Sequence, residues 1–187
     1  MGAPKLQTPA EMRAEIAALP AGMHGEVLGP GDWRAMGRPG VDHRSAAKWL
    51  VRGLSPDDRD GGGGWWIDVE PEVELGERLF VPDLAGWRIE GGDLAFLDEN
   101  PVKRAPDWVC EILSRSTQRA DRALKLPVYA AAGVGHVWVV DPAARSIEVY
   151  AVQNGLAALV AAVTAGKSAV LPPFSLDVDV EALFRRG

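Results

Sequence analysis

The chain has 187 residues, 47% of them hydrophobic and 25% charged, which is enough apolar material for one sizeable core and suits a single domain over 1–187. Twenty lysines and arginines against 26 acids leave a net charge of −6; this excludes attachment to nucleic acid by bulk positive charge, while a local basic groove stays compatible with it. The single cysteine, Cys110, excludes an internal disulfide framework and a cysteine-cluster zinc site, and the three histidines lie too far apart in sequence for a local metal motif. No apolar run reaches the ~18 residues of a membrane span and the N-terminal residues lack an apolar signal core, so a cytoplasmic location without membrane attachment is expected.

In chain order, Thr8 to Leu19 predicts a helix, with Thr8 as cap, Pro9 in the first turn and Glu11 closing a capping box. The short apolar runs Gly25 to Leu28 and Trp33 to Met36, around Gly29-Pro30-Gly31-Asp32, predict a hairpin. A second helix is expected over Val41 to Leu54, with Ala46, Ala47, Leu50, Val51 and Leu54 on its buried face. Asp57 to Gly64 is a glycine-rich loop. Trp65 to Leu75 alternates apolar and acidic residues, the pattern of a strand pair or bent strand with one wet face. Leu79 to Ile89 is strand-like, with Pro82 marking an edge, end or bulge. Asp107 to Leu113 is a strongly apolar strand. Ser116 to Ala132 predicts a helix that Pro127 interrupts and Gly133 ends. Val137 to Val140 is a buried strand, Ile147 to Val152 and Leu156 to Val163 form a hairpin around Asn154-Gly155, and a last short helix lies near Val180 to Phe184. The strand-helix-strand unit at 107–140 calls for a parallel crossover, and the hairpins make the sheet mixed.

Familiar motifs fail on inspection. Gly166-Lys167-Ser168 lacks the first glycine of a phosphate loop, where Ala161 stands, and no helix follows it. Gly133-x-Gly135 is not followed by a third glycine. Cys110 lies mid-strand among apolar residues and reads as a buried structural thiol.

Three residues call for more explanation. With the period of 2 of a strand, Glu111 shares its face with Val109 and Leu113, a costly place for a carboxylate unless it is paired or holds a cation. An ion pair inside the fold is the competing account. Asp83 follows Pro82 at a strand bend, where a backbone-bonding turn residue is the simpler account. Two carboxylates meeting at a bend from neighbouring strands make a hard-oxygen site suited to Mg²⁺ or Mn²⁺, and without metal such crowded acids are expected to repel. Lys125 lies four residues after Asp121 and two before Pro127, whose missing N–H bends the helix there. Arg115, Arg119 and Arg122 add positive charge nearby, either as a solvated helix surface or as reserves for Lys125.

Val81-Pro82-Asp83-Leu84, Ala105-Pro106-Asp107-Trp108-Val109-Cys110-Glu111-Ile112-Leu113-Ser114, Lys125-Leu126-Pro127-Val128-Tyr129 and Trp138-Val139-Val140-Asp141-Pro142 together resemble the Uma-two family, a bacterial group described as endonucleases within the PD-(D/E)XK nuclease superfamily. Gly25-Glu26-Val27-Leu28 and Arg38-Pro39-x-x-x-His43 extend the resemblance to about residues 22–150. It implies an α/β, restriction-endonuclease-like fold, with a mixed central sheet flanked by helices. It implies a DNA endonuclease that uses Mg²⁺ or Mn²⁺, with Asp83 and Glu111 as catalytic metal ligands. The superfamily's lysine, two residues after the glutamate, is Leu113 here; in the family the role passes to the following helix, at Lys125. Glu26 matches a family acid that either completes the metal site or braces the hairpin. A homodimer would suit cutting of both strands of a duplex. A non-catalytic nucleic-acid- or protein-binding module on the same fold is the alternative.

Overall fold

The computed structural model describes residues 6–58, 63–89, 91, 94–114, 121–164, 166–175 and 177–184. Arg115 and Arg119, and the first part of the helix expected from Ser116, lie outside the described residues.

Helix α1 (Pro9–Ala17) starts as its capping box dictates: the Thr8 side chain accepts from the Glu11 N–H, and the Glu11 carboxylate accepts from the Thr8 backbone. Strands β1 (His24–Gly29) and β2 (Asp32–Met36) form the expected hairpin. Helix α2 (Val41–Leu54) buries one narrow stripe at i, i+4 spacing, Ala46, Leu50 and Leu54. Val51 falls beside that stripe and is 39% exposed, against expectation.

The strands β3 (Trp65–Val69), β4 (Val73–Leu75), β5 (Arg78–Phe80) and β6 (Leu84–Arg88), consecutive in sequence, divide between two sheets. One sheet has four strands in the order β2-β1-β5-β4. The other has six, β10-β9-β8-β7-β6-β3, with β7 (Trp108–Ile112), β8 (His136–Asp141), β9 (Ser146–Gln153) and β10 (Leu156–Thr164). The segment Trp65 to Leu75 is therefore two strands that do not pair with each other: β3 pairs with β6, and β4 with β5. The chain crosses between the sheets at Val81-Pro82-Asp83. Proline cannot donate to a ladder, which makes this crossing a natural break in pairing.

Within the large sheet only β7 and β8 pair in parallel, as the crossover requires. Between them, a π-helical turn (Asp121–Lys125) runs into helix α3 (Leu126–Ala131), with Pro127 in the first turn of α3. Pro127 offers no N–H to the Ala123 carbonyl and crowds it, so the helix widens at the turn that ends on Lys125. A short pair, β11 (Ser168–Val170) with β12 (Asp177–Asp179), and helix α4 (Val180–Leu183) complete the described chain. The β11–β12 pair escapes sequence reading because its strands are three residues each and largely exposed.

The large sheet separates two cores. On one face α2 and the C-terminal segment pack on Trp108, Cys110, Ile112, Trp138 and Val140. Phe174 meets Trp108 and Trp138 edge-on, with ring centroids 5.0 and 5.6 Å away, and each such contact contributes ~0.5–1.5 kcal/mol beyond area burial. On the other face Tyr129 of α3, with Val73, Leu75 and Phe80 of the small sheet, covers Val109, Leu113, Val137 and Val139. Glu111 lies on this second face, as the strand period predicts.

Helix α1 is seated on β1 through a glycine. A Cβ on Gly25 would lie 2.4 Å from Ile16 Cγ1 and 2.7 Å from its Cγ2. Gly25→Ala therefore has to push α1 off the hairpin, and it is expected to destabilise the protein by ~1–3 kcal/mol, the cost of overpacking. A urea titration measures this as a lower midpoint.

Candidate active site

The site forms where the two sheets meet the start of α2. A cavity of about 460 Å³ is lined by His24, Arg34 and Met36 of the hairpin, Arg38 and His43, Glu70, Val81 and Asp83 at the crossing, Glu111, Ile112 and Ser114 at the end of β7, and Lys125. Thus Asp83, Glu111 and Lys125, about 40 residues apart end to end in sequence, share one cavity wall.

Strand register brings the two acids together. Leu84 faces Cys110 and Ala85 faces Val109 across the antiparallel β6–β7 ladder, and continuing that register by one residue sets Asp83 opposite Glu111. Residues directly opposite on an antiparallel pair point to the same face. Both carboxylates are held by donors. Asp83 Oδ2 accepts from the Ile112 N–H at 2.6 Å, and Oδ1 lies 2.8 Å from His43 Nε2. Glu111 Oε1 accepts from the Tyr129 hydroxyl at 2.6 Å, and both its oxygens lie 3.1 Å from Lys125 Nζ.

Lys125 is 2% exposed and also reaches Glu26 Oε1 at 2.8 Å. Glu26 is fully buried, and four donors converge on it. Oε1 accepts from the Val81 N–H and Lys125; Oε2 accepts from Arg34 Nε at 3.0 Å and Nη2 at 2.7 Å. Arg34, Glu26, Lys125 and Glu111 form a chain of alternating charge that sums to zero, with Arg34 half-buried and the other three buried. Crowded, mutually repelling acids are therefore not what the fold contains: each carboxylate faces a cation or N–H donor. Glu26 does not line the cavity, and four donors fill the roughly four lone-pair positions of a carboxylate.

Of the neighbouring arginines, Arg122 turns elsewhere. Its Nη2 lies 2.9 Å from Glu148 and 4.0 Å from Asp141, on the β8–β9 side, and it does not line the cavity. Arg119 lies outside the described residues. Leu113 is 3% exposed in the core. Cys110 is buried, and its thiol is pushed well above its ordinary range by burial, helped by the negative charges of Asp83 and Glu111. His43 and Tyr129 escape sequence reading as members of the site. His43 lies in the expected first turn of α2, but nothing in the sequence says that this turn faces Pro82-Asp83.

The chain matches the model of a protein family, Uma2, described as "Putative restriction endonuclease", over residues 15–181. The chain belongs to the Uma2 family. A crystal structure of a "putative nuclease belonging to DUF820" from Anabaena variabilis ATCC 29413 shares the fold, with a TM-score of 0.72 at 19% identity over 95% of this chain and 97% of that one. No curated protein matches the chain significantly. Family and fold together support a nuclease, whose substrate class is nucleic acid. Among the described residues, no helix is long and apolar enough to cross a membrane.

Two predictions follow from the charge chain and its surroundings. Glu26→Gln removes the buried negative charge that faces buried Lys125 and half-buried Arg34 and is expected to cost ~3–5 kcal/mol in chemical denaturation. Cys110 is expected to stay unreactive toward Ellman's reagent at pH 8 in the folded Uma2 protein and to titrate fully in guanidinium, because the thiolate it would have to form is disfavoured by burial and by two nearby carboxylates.

Proposed function

We propose that this Uma2 protein is a Mg²⁺- or Mn²⁺-dependent endodeoxyribonuclease that hydrolyses phosphodiester bonds in the cavity holding Asp83, Glu111 and Lys125. The observation that carries the reading is that Asp83, Glu111 and Lys125 line one cavity, with Asp83 bonded to the Ile112 N–H beside Glu111 and the Lys125 ammonium against Glu111. The donor set fits a hard cation. Each Asp83 oxygen uses one lone pair on a donor and keeps another, and Asp83 and Glu111 both line the cavity. Among the described residues no cluster of three or more His, Cys, Asp or Glu side chains has metal-binding geometry. A site of two carboxylates agrees with Mg²⁺, which keeps several waters and takes one or two carboxylates.

Asp83 and Glu111 would hold the cation, which would supply Lewis acidity toward the phosphodiester and its attacking water. The rest falls to the chain itself. Lys125, fixed by Glu111 and Glu26, places an ammonium beside the reacting phosphate, where it steadies the charge that develops as the water oxygen bonds to phosphorus and one P–O ester bond breaks. Glu26 acts as the brace of Lys125 rather than as a ligand, because its oxygens are already occupied. Arg38, exposed and without an ion-pair partner among the described residues, brings a positive charge to the cavity in a chain of net charge −6, and phosphate contact needs such a local cation. Two copies, each with one such site, would serve the two strands of a duplex, so a homodimer belongs to this reading.

Supercoiled plasmid with and without Mg²⁺ or Mn²⁺ tests the reading: nicking that depends on the cation is expected. Asp83→Asn is expected to abolish nicking and to weaken calorimetric Mn²⁺ binding, while Lys125→Met is expected to slow nicking at least ~100-fold with Mn²⁺ binding kept, the scale for losing one preorganised electrostatic group. A wild-type protein that binds DNA without cutting it under any divalent cation would make it a binding module on a nuclease fold.

A further inference from the structure

We propose that His43 is the positioning residue of Asp83, fixing the plane of its carboxylate so that the two remaining lone pairs face the cation; this rests on the nuclease reading above. Asp83 sits at the crossing between the sheets, outside the strands on either side of it. One donor, the Ile112 N–H, secures Oδ2. A single donor leaves the carboxylate free to swing about a broad terminal torsion. The second donor comes from a different element: His43 Nε2 stands 2.8 Å from Oδ1.

The imidazole is well placed to act as a fixed post. Its side chain is 12% exposed, and it lies in the first turn of α2, whose Ala46, Leu50 and Leu54 are locked into the core on the far face of the sheet. Its other nitrogen, Nδ1, is buried with no hydrogen-bond partner among the described residues. That assigns the contact. The proton belongs on Nε2, facing Asp83, because an N–H at Nδ1 would be an orphaned buried donor. Packing alone gives no reason to bury an imidazole with one nitrogen unpaired, and an apolar side chain would fill the space without that penalty. The contact to Asp83 supplies the reason. Partners that orient a metal-binding side chain in this way set affinity without touching the ion.

Two substitutions separate positioning from packing. In His43→Gln an amide N–H can stand where Nε2 stands; in His43→Asn the amide reaches only as far as Nδ1 and falls short of Asp83. Mn²⁺ affinity is measured by calorimetry on wild type and both variants, with far-UV circular dichroism and melting temperature recorded alongside. We expect His43→Asn to bind Mn²⁺ about 10–100-fold more weakly and His43→Gln to restore most of that loss, the range for removing a partner of a metal-binding side chain. Equal Mn²⁺ affinity in the two variants, whether both match the wild type or both fall together, would overturn the proposal while leaving the metal site standing. A wild-type protein that binds no Mn²⁺ would overturn the nuclease reading and this proposal with it.

Discussion

A buried lysine between two carboxylates is the constraint around which the rest of this fold is arranged. Lys125 lies within hydrogen-bond distance of Glu111 and Glu26 and is almost wholly out of water. Removing an ammonium from water costs several kcal/mol, on the order of the whole stability of a domain. Only partners held in place by other elements can offset such a cost. Glu111 is fixed by its strand and by Tyr129, and Glu26 by β1, by the Val81 N–H and by Arg34 from β2. Through Lys125 the large sheet, the small sheet and the α3 segment meet at one charge. The small sheet is thus more than a cover for the second core: it supplies half of the lysine's counter-charge.

The same constraint accounts for the π-helical turn. A regular helix through Pro127 would have to accommodate the crowded Ala123 carbonyl, and the turn Asp121–Lys125 widens instead. Arg122, near the start of that turn, is tied to Glu148 on β9, and Lys125 at its end is tied to Glu111 on β7. Two cations, hooked to two different strands, bracket the irregular turn. Such turns are frequent where a side chain has to be aimed rather than merely buried. Here the aimed side chain is the Lys125 ammonium, held between Glu111 and Glu26.

What could be read in advance follows the range of the interactions. The ends of α2, the Thr8–Glu11 cap and the face of Glu111 are set by local periodicity, and all stand as read. The family likeness brings Asp83, Glu111 and Lys125 forward as a set, and the fold puts them on one cavity. The division of β3 to β6 between two sheets is not local: alternation marks each as a strand and says nothing about its partner. For the same reason the sequence leaves Glu26 open between metal ligand and hairpin brace, since its donors include Lys125, 99 positions further along the sequence. Val51 stays 39% exposed because α2 fully buries only the row Ala46, Leu50 and Leu54, with Ala47 and Trp49 packed beside it.

The distribution of charge resolves what first looks like a contradiction between an acidic chain and a nucleic-acid substrate. Net charge governs long-range attraction, and at physiological salt that attraction fades within ~8 Å. Inside a cavity, the nearby groups decide. Arg34 and Lys125 are each balanced by the buried acids Glu26 and Glu111, so they create no excess of positive charge there. Arg38, exposed on the cavity rim and without an ion-pair partner among the described residues, is a cation left over for an incoming phosphate. Asp83 faces the Ile112 N–H and His43, and no lysine or arginine pairs with it among the described residues, so it is the cavity acid with charge left over. The surplus positive charge thus sits at the rim and the surplus negative charge at the floor. The proposed nuclease reading asks for that polarity, a cation at the rim to meet phosphate and an acid within to meet a metal ion.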